Sequence, residues 1–333
     1  MQIEERVPLA PYTTFHIGGP ARYFARVESE HDFRNALGVS KLENLETLIL
    51  GGGSNTLVTD DGFDGLVIKI EIGGIEKEGD RLIAGAGESW DALVACAAKE
   101  KLWGLENLSG IPGTVGGGVA GNIGAYGQAL SQTLQWVEVF DIQAGEVKKM
   151  TNAECSFDYR DSFFKHDNGR HVILRAAFVL SSEGEPDISY KDLAARFSDS
   201  SQDIAAIREA VLAIRKGKFP DLTLEGTAGS FFKNPILSSE EAEKLKERYP
   251  EMPLFAMPET VGIKIPLAWL LDHALGLKGT HVGGARLFEK QPLVIAASLG
   301  ASAHDVRTLA EMVKEKVRDA LGIELEAEVK IIS

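Results

Sequence analysis

The most constraining feature of this chain is the glycine-rich stretch 109–127, SGIPGTVGGGVAGNIGAYG. Each glycine inside a helix or strand costs conformational entropy, so the stretch is predicted to form neither a regular helix nor a regular strand. Pro112-Gly113 is typical of a turn. Because glycine has no Cβ, the backbone amides of such a stretch can close around an anion. We therefore predict a phosphate-binding loop here.

A second glycine-rich loop, Gly51-Gly52-Gly53-Ser54-Asn55, follows the apolar run 48–50, which we interpret as a buried strand. Two such loops in one chain favour a diphosphate that is held from two sides, and two structural turns are the alternative interpretation. A third pattern, Gly85-Ala86-Gly87, imitates the start of a dinucleotide-binding fingerprint. The bulky Trp90 stands where that fingerprint needs its third glycine, so we interpret this pattern as a strand-to-helix turn.

Composition excludes several classes of protein. The chain has 333 residues, enough for two domains or for one domain with an inserted lobe. Its net charge of −14 argues against nucleic acid and anionic membranes as partners. Cys96, which we expect in the core, and Cys155 form no CxxC pair, so we predict no metal site and no disulfide framework. The amino terminus has no apolar targeting segment, and we expect a cytoplasmic protein.

Periodicity and capping signals predict several helices and a final strand. Ser89 is predicted to cap a helix that reaches about residue 102, and residues 203–218 form an amphipathic pattern. The basic residues at the end of that second helix, among them Arg215, would complement the helix dipole. Capping boxes begin at Ser238 and Ser302. The alternation in 323–331 predicts a terminal strand.

Seven motifs in this order resemble the UDP-N-acetylenolpyruvoylglucosamine reductase family: GGGSN at 51–55, SGIPGTVGG at 109–117, NIGAYG at 122–127, YRDSFFK at 159–165, RKGKFPD at 215–221, AGSFFKNP at 228–235 and LEAEV at 325–329. The resemblance implies an α+β fold, with a two-lobed FAD-binding domain of the vanillyl-alcohol-oxidase (PCMH) type and a separate α+β substrate-binding domain. We expect flavin lobes at 1–70 and 71–218, with 323–333 returning to the second lobe, and a substrate-binding domain at 219–322. Tyr190 implies the longer subclass of the family.

The resemblance also implies the reaction. The family uses NADPH and non-covalently bound FAD to reduce the enolpyruvyl double bond of UDP-N-acetylglucosamine enolpyruvate, which gives UDP-N-acetylmuramate. Hydride passes from N5 of the reduced flavin to the substrate, and negative charge then builds beside the substrate carboxylate. The product serves peptidoglycan synthesis and thereby cell-wall growth, cell shape and cell division. We expect a monomer.

By their positions in these motifs, three residues are the expected catalytic groups. Arg160 would face the substrate carboxylate, and a salt bridge to Asp158 or Asp161 is the alternative. Ser230 would donate the proton, stabilised by Lys218 or Lys233, and a simple turn residue is the alternative. Glu328 would be the catalytic acid, with Glu326 as the alternative if the register is shifted by two residues.

The resemblance implies that FAD is held by both glycine loops and their neighbours, namely Gly51, Gly52, Gly53, Ser54, Asn55, Ser109, Gly110, Ile111, Pro112, Gly113, Thr114, Gly117, Ile123 and Gly124. The substrate would contact Tyr190, Lys218 and Asn234. Two other functions stay open. A flavin oxidase with the same flavin lobes would often carry a covalent flavin on His or Cys, and a non-catalytic sugar-nucleotide-binding module would be colourless.

Overall fold

The computed structural model describes residues 1–197, 202–256 and 262–333. The described chain forms two compact units. The first consists of Met1–Val7, Ala21–Gly52 and Phe63–Gly217, and the second consists of Pro8–Pro20, Gly53–Gly62 and Lys218–Ser333. Residues 323–333, which we expect in the second flavin lobe, thus belong to the second unit together with 219–322. The division into lobes at 1–70 and 71–218 stays a prediction.

The first unit begins with a four-stranded sheet, whose strands lie in the order Ile3–Pro8, Pro20–Val27, Phe63–Ile70 and Thr47–Leu50. The last three of these strands run parallel to one another. The helix Glu30–Leu42 begins where the Ser29 side chain accepts a hydrogen bond from the Asp32 amide, and it buries Phe33, Ala36 and Leu37. The apolar run at 48–50 is therefore a strand, as predicted.

The second sheet of this unit is antiparallel, with strands in the order Glu146–Thr151, Leu134–Asp141, His171–Val179, Arg81–Gly85 and Ile75–Glu78. The helix Trp90–Lys99 is capped by Ser89, as predicted, and it buries Trp90, Leu93, Val94 and Ala97. The Trp90 ring meets Phe178 edge to face at 5.8 Å. The sequence Gly85-Ala86-Gly87 is thus a strand-to-helix turn, and the fully buried indole of Trp90 follows three residues later.

The rest of the first unit is helix and short hairpin. The helix Ile204–Lys218 buries Ile204, Ile207, Val211 and Ile214, which confirms the predicted amphipathic pattern. The first unit also contains the helices Val115–Gly121, Phe163–His166 and Lys191–Ala194, the hairpin strands Gly124–Ala125 and Gln128–Ala129, and the 3-10 helices Glu106–Leu108, Leu130–Gln132 and Ala153–Cys155. Cys155 is buried, whereas Cys96 is only half-buried, because it lies off the buried face of its helix.

The second unit is built on an antiparallel sheet with strands in the order Glu225–Gly226, Ile295–Ser298, Ala285–Leu287 and His281–Val282. A smaller sheet contains Ile236–Leu237, Ile263–Lys264 and Phe255–Ala256. The helices are Ser239–Arg248, Ala303–Leu321 and Leu267–Trp269, and the last continues as a π-helical segment, Leu270–Ala274. Both predicted capping boxes, at Ser238 and Ser302, are present.

The carboxyl-terminal strand is shorter than the alternation predicts. Only Lys330–Ile332 is regular, and it pairs in parallel with Thr56–Val58. The odd-numbered apolar residues of the alternation stay on the buried side as far as Val329, but Ile331 is 43% exposed and Ile332 is buried instead. The face changes because pairing with the strand Thr56–Val58 begins at residue 330, and a strand's partner decides which side of it is buried.

Candidate active site

The two glycine-rich loops meet backbone against backbone in the first unit. A Cβ built on Gly52 would lie 2.5 Å from the Cα of Gly113, and one on Gly51 would lie 2.8 Å from Oγ1 of Thr114. Only glycine permits so close an approach. The structure therefore brings together, at Gly51, Gly52, Gly113 and Thr114, two loops that are distant in sequence.

The prediction that the stretch 109–127 contains no helix is wrong for Val115–Gly121. Its glycines cost helix stability, but they allow close packing: a Cβ on Gly116 would lie 2.9 Å from Cβ of Ala86. Thr114 caps the helix by accepting from the Gly117 amide at 3.4 Å, and Asn122 ends it in the left-handed conformation. Tertiary packing and capping outweigh the low helix propensity here.

Several backbone amides of the two glycine-rich loops have no hydrogen-bond partner among the described residues. Within the described residues, those of Gly52, Ile111, Gly113 and Thr114 donate to no protein group. Ser109 is fully buried, and its hydroxyl donates to the Glu106 carbonyl at 2.6 Å. Unpaired amides beside glycine backbone form the kind of cradle that binds a phosphate. Pro112, which has no N–H, is exposed, and Ile111 and Ile123 pack partly against the core.

Gly110 does not offer a bare amide, contrary to the general prediction for this loop. Its N–H donates to Oδ1 of Asp91 at 2.6 Å, and its carbonyl accepts from Nε of Arg215 at 2.9 Å. Asp91 in turn accepts two hydrogen bonds from Arg208, at 2.7 and 2.8 Å. The Arg208 guanidinium, with smaller contributions from the Gly110 amide and Arg215, holds the pKa of Asp91 below its usual value.

Arg215, whose position near a helix end predicts a charge that complements the helix dipole, also contacts the glycine-rich stretch. Its side chain is half-buried, and its Nε donates to the carbonyl of Gly110. Its spacing of seven residues from Arg208 puts both side chains on the same face of one helix. The sequence signal for these contacts is the seven-residue spacing, which places two cations on the largely buried face of the helix.

Arg160 lies near Arg215 and forms a local positive site in a protein whose net charge is −14. Its guanidinium donates to the carbonyl of Gly124, and its backbone is left-handed, with φ of 54°. The Asp161 carboxylate pairs with His166 at 2.7 Å. Burial lowers the pKa of Arg215, and the charge of Arg160 acts in the same direction. An anion beside these two cations would reduce their mutual repulsion.

Tyr190 precedes the short helix Lys191–Ala194 and is 40% exposed. Its ring meets that of Tyr126 edge to face, with 5.2 Å between the ring centroids. Tyr126 is buried, and its side chain hydrogen-bonds to Arg215. Tyr190 therefore offers a partly exposed aromatic ring that is connected, through Tyr126, to the half-buried Arg215.

In the second unit, the segments around Ser230 and Glu328 lie side by side. The Glu328 amide donates to the carbonyl of Phe231 at 2.9 Å, and Phe232 pairs with Ala327. The Asn55 side chain donates to the Glu328 carbonyl at 2.9 Å. Gly53 has φ of 61° and no room for a Cβ, which would lie 2.0 Å from the Tyr12 carbonyl oxygen. These contacts bring together Asn55, Glu328 and the segment that contains Ser230. Ser54, which precedes Asn55, is half-buried.

The two candidate glutamates differ in environment. Glu326 is 69% exposed and pairs with Nζ of Lys233 at 2.6 Å, whereas Glu328 is half-buried. A catalytic group acts most strongly where water is partly excluded, and of the two only Glu328 has such surroundings. These environments favour Glu328. The Lys233 ammonium is partly neutralised by Glu326 and is a weaker candidate for stabilising Ser230 than the sequence suggests.

The remaining predicted residues have local roles as well. Oδ1 of Asn234 accepts from the Leu267 amide at 3.1 Å, and Lys218 is the last residue of its helix. In the described ranges there is no group of three or more His, Cys, Asp or Glu that could hold a metal ion. Nor does any helix among the described residues have the length and apolar character needed to span a bilayer.

Comparison with known proteins follows the same division of the chain. Residues 21–151 match a family model described as an FAD binding domain. Residues 221–332 match the C-terminal domain of UDP-N-acetylenolpyruvoylglucosamine reductase. Together these two matches span most of both halves of the chain.

Relatives named UDP-N-acetylenolpyruvoylglucosamine reductase match over nearly their full length. The Neisseria gonorrhoeae relative is 40% identical and covers 98% of this chain and 96% of its own. The Ralstonia nicotianae relative is 38% identical, with 99% of each chain covered. The crystal structure of UDP-N-acetylenolpyruvylglucosamine reductase (MurB) from Thermus caldophilus aligns over 100% of both chains, with a TM-score of 0.72 and 29% identity. The predicted fold class is thereby confirmed.

Proposed function

Because this chain belongs to the UDP-N-acetylenolpyruvoylglucosamine reductase family, we propose here how its own residues carry that reaction. The chain is an FAD-dependent oxidoreductase that acts on the enolpyruvyl CH–CH group in peptidoglycan precursor synthesis, with NADPH as the reductant. The observation that supports the assignment of residues most directly is the meeting of two glycine loops that leave backbone amides unpaired.

The residues present fit FAD. The unpaired amides of Gly52, Ile111, Gly113 and Thr114 would hold its diphosphate, and Ile111 and Ile123 would line the ring system. The other members of the two loops complete this predicted binding set. When bound, FAD supplies the hydride that adds to the terminal vinyl carbon of the substrate.

Arg160 binds the carboxylate of the enolpyruvyl group in this proposal. Negative charge grows on that carboxylate and the neighbouring carbon as the double bond is reduced, so a positioned guanidinium stabilises the transition state more than the ground state. The nearby Arg215 strengthens the positive potential. The planar fork of arginine matches two carboxylate oxygens, which a lysine cannot do.

Ser230 donates a proton to the carbon that carries the developing charge, and Glu328 stabilises the same charge by a hydrogen bond. A serine hydroxyl is a weak acid, so this role needs a positioned site. The antiparallel pairing that joins 231 to 328 is a rigid support for both side chains. Tyr190, Lys218 and Asn234 bind the nucleotide diphosphate and sugar.

The alternatives are less well supported. The near-full-length relatives are named as reductases, which disfavours a flavin oxidase or a non-catalytic module. We further propose that UDP-N-acetylglucosamine enolpyruvate and NADPH are the substrates, that the enzyme acts as a monomer in the cytoplasm, and that it has no nucleic-acid or membrane partner.

Ser230→Ala tests the proposed proton donor. In anaerobic stopped-flow measurements, NADPH should reduce the flavin, with loss of its absorbance, at the wild-type rate. Recovery of the colour on adding the enolpyruvyl sugar nucleotide should slow by about 10²–10⁴-fold, because only that step needs the proton. The exposed Ser239→Ala in the same unit is the matched control and should change neither rate. Equal losses in both steps, or none, would contradict the role of Ser230.

A further inference from the structure

Asn107 precedes the glycine stretch and is completely buried. Its Nδ2 donates to two backbone carbonyls, that of Tyr126 at 2.9 Å and that of Asp187 at 2.8 Å. Its own amide donates to Oε1 of Gln128 at 3.1 Å. Oδ1 of Asn107 accepts no hydrogen bond from the described residues, so the two bonds donated by Nδ2 set the orientation of the side chain.

The residues that hold Asn107 are themselves fixed. The buried Glu106 accepts from Nε2 of Gln128 at 3.0 Å and from the Gly104 amide at 2.7 Å. Asn107 is thus part of a buried polar network directly before the loop that we assign to FAD. Hydrogen bonds in such a buried network are stronger than those in water, so removing one donor is costly.

The segment that Asn107 holds is otherwise irregular. The chain between the strand His171–Val179 and the helix Lys191–Ala194 has no regular element. Without the hydrogen-bond ladder of a helix or strand, the position of such a segment depends on individual side-chain bonds. The bond from Asn107 to the Asp187 carbonyl is one of these, and Tyr190 follows three residues later.

Tyr126 connects the two ends of this arrangement. Its carbonyl accepts from Asn107, and its ring meets that of Tyr190. A Cβ on the adjacent Gly127 would lie 3.0 Å from Oδ2 of Asp187, so the 126–127 turn and the 187–190 segment are in close contact. One asparagine side chain therefore fixes both the turn against which the Tyr190 ring packs and the segment from which that ring projects.

We propose that Asn107 is a positioning residue that sets the location of Tyr190 and thereby the affinity for the sugar nucleotide. This inference rests on the proposed role of Tyr190 in binding the substrate. Asn107 itself touches no substrate in this proposal. Its two donated bonds fix the segment before binding, so the substrate does not have to order it.

A double-mutant cycle on the FAD-loaded enzyme tests the proposal. Asn107→Ala should weaken binding of UDP-N-acetylglucosamine enolpyruvate, measured by calorimetry without NADPH, by about ten-fold. Its FAD content should not change. Tyr190→Ala should weaken binding as well, and the double variant should bind no more weakly than Tyr190→Ala alone. Additive losses, or unchanged affinity in Asn107→Ala, would overturn the proposal.

Asn152→Ala is the matched control. Its Nδ2 also donates to two backbone carbonyls in the same unit, those of Ser131 at 2.7 Å and Leu134 at 2.8 Å. The Asn152→Ala variant loses the same number of side-chain hydrogen bonds to backbone carbonyls, but none of them involves the segment before Tyr190. We expect wild-type affinity in this variant, and a loss as large as that in Asn107→Ala would overturn the assignment.

Hydrogen exchange separates this inference from the proposed role of Tyr190. In the absence of substrate, Asn107→Ala should accelerate exchange of the amides in 185–192, whereas Asn152→Ala should not. Unchanged exchange would overturn the positioning role even if Tyr190 binds substrate. Accelerated exchange with no effect of Tyr190→Ala on affinity would instead contradict the role of Tyr190. If Asn107→Ala fails to fold, Gln128→Met takes its place, because it removes the acceptor of the Asn107 amide together with the donor to Glu106 and leaves both bonds donated by the Asn107 side chain. It should show a smaller acceleration, and the absence of any acceleration would overturn the inference.

Discussion

Gly52 shows most clearly how single residues determine this site. Its Cα faces the Gly113 backbone so closely that any Cβ would lie 3.0 Å from the Gly113 carbonyl carbon and 2.5 Å from its Cα. Neither neighbour is a flexible side chain, so the loops would have to separate. The amides of Gly113 and Thr114, which we assign to the FAD diphosphate, would then move.

Gly52→Ala should therefore reduce FAD affinity by at least about ten-fold, a loss that corresponds to roughly 1.4 kcal/mol. A titration with FAD, monitored by quenching of the flavin fluorescence, measures this loss of affinity. Gly38→Ala is the control, because Gly38 lies inside the helix Glu30–Leu42 with nothing within 4 Å of a built Cβ. That variant should keep its FAD affinity and gain about 0.5–1 kcal/mol in free energy of unfolding. Normal FAD affinity in Gly52→Ala would count against the diphosphate assignment.

At the scale of elements, the helix Ile204–Lys218 supports the glycine stretch from behind. Arg208 and Arg215 project from it to Asp91, on the helix Trp90–Lys99, and to the Gly110 carbonyl. Asp91 also accepts from the Gly110 amide. Both polar groups of one glycine residue are thus held by side chains from two helices, which leaves the later amides of the loop for the ligand.

Asp91→Ala should lower the free energy of unfolding by about 1–2 kcal/mol, because Arg208 and the Gly110 amide both lose their acceptor. The value stays modest because the Asp91 side chain is 37% exposed and solvent screens the pair. Urea unfolding measures the change. The double variant with Arg208→Met should cost less than the two single changes together, since they break the same bond. Strictly additive costs would show that the two side chains act independently.

At the scale of the whole molecule, electrostatics depends on carboxylates that are stabilised in their charged form. Hydrogen bonds, from Arg170 above all, hold the pKa of the buried Asp141 far below its usual range. Arg170 donates to it at 2.9 and 2.7 Å. Both units contain further carboxyl groups whose pKa is lowered, namely Asp32, Asp91, Glu154, Glu241 and Asp305.

These shifts determine the sign of the pH dependence. A carboxyl group with a lowered pKa in the folded state binds fewer protons there than in the unfolded state, so its contribution to stability is complete above the unfolded pKa and is lost as the pH falls. The free energy of unfolding should therefore change little above about pH 5 and should fall steeply below about pH 4.

Urea unfolding at a series of pH values measures that slope. The slope of the free energy of unfolding against pH gives the number of protons that the chain takes up on unfolding. Asp141→Asn should lower that number by up to about one at acid pH, because one carboxyl group with a lowered pKa has been removed. Asp64→Asn, which removes an exposed aspartate that pairs with Arg22 at the surface, controls for the loss of one negative charge. An equal slope in wild type and Asp141→Asn would contradict the assignment to Asp141.

Much of the local architecture could be predicted before any coordinates. The helix Ala303–Leu321 begins at the predicted Ser302 cap, and Gly322 ends it. It buries residues at helical spacing, among them Val306, Leu309, Val313 and Val317. The helix Trp90–Lys99 has the predicted Ser89 cap but ends before the predicted end at about residue 102. These features depend on residues three or four apart, so their energies can be estimated from neighbouring letters of the sequence.

Local pattern therefore established the elements, and the order of seven motifs established the family. Only the tertiary structure decided four further features. Glycines 116–118 belong to a helix, and the Gly110 amide donates to Asp91. The loop 51–55 is divided between two units, and Glu326 rather than Glu328 pairs with Lys233. The physical reason is range. Each of these outcomes depends on a contact between residues far apart in the chain, and propensity, capping and periodicity act only over a few residues.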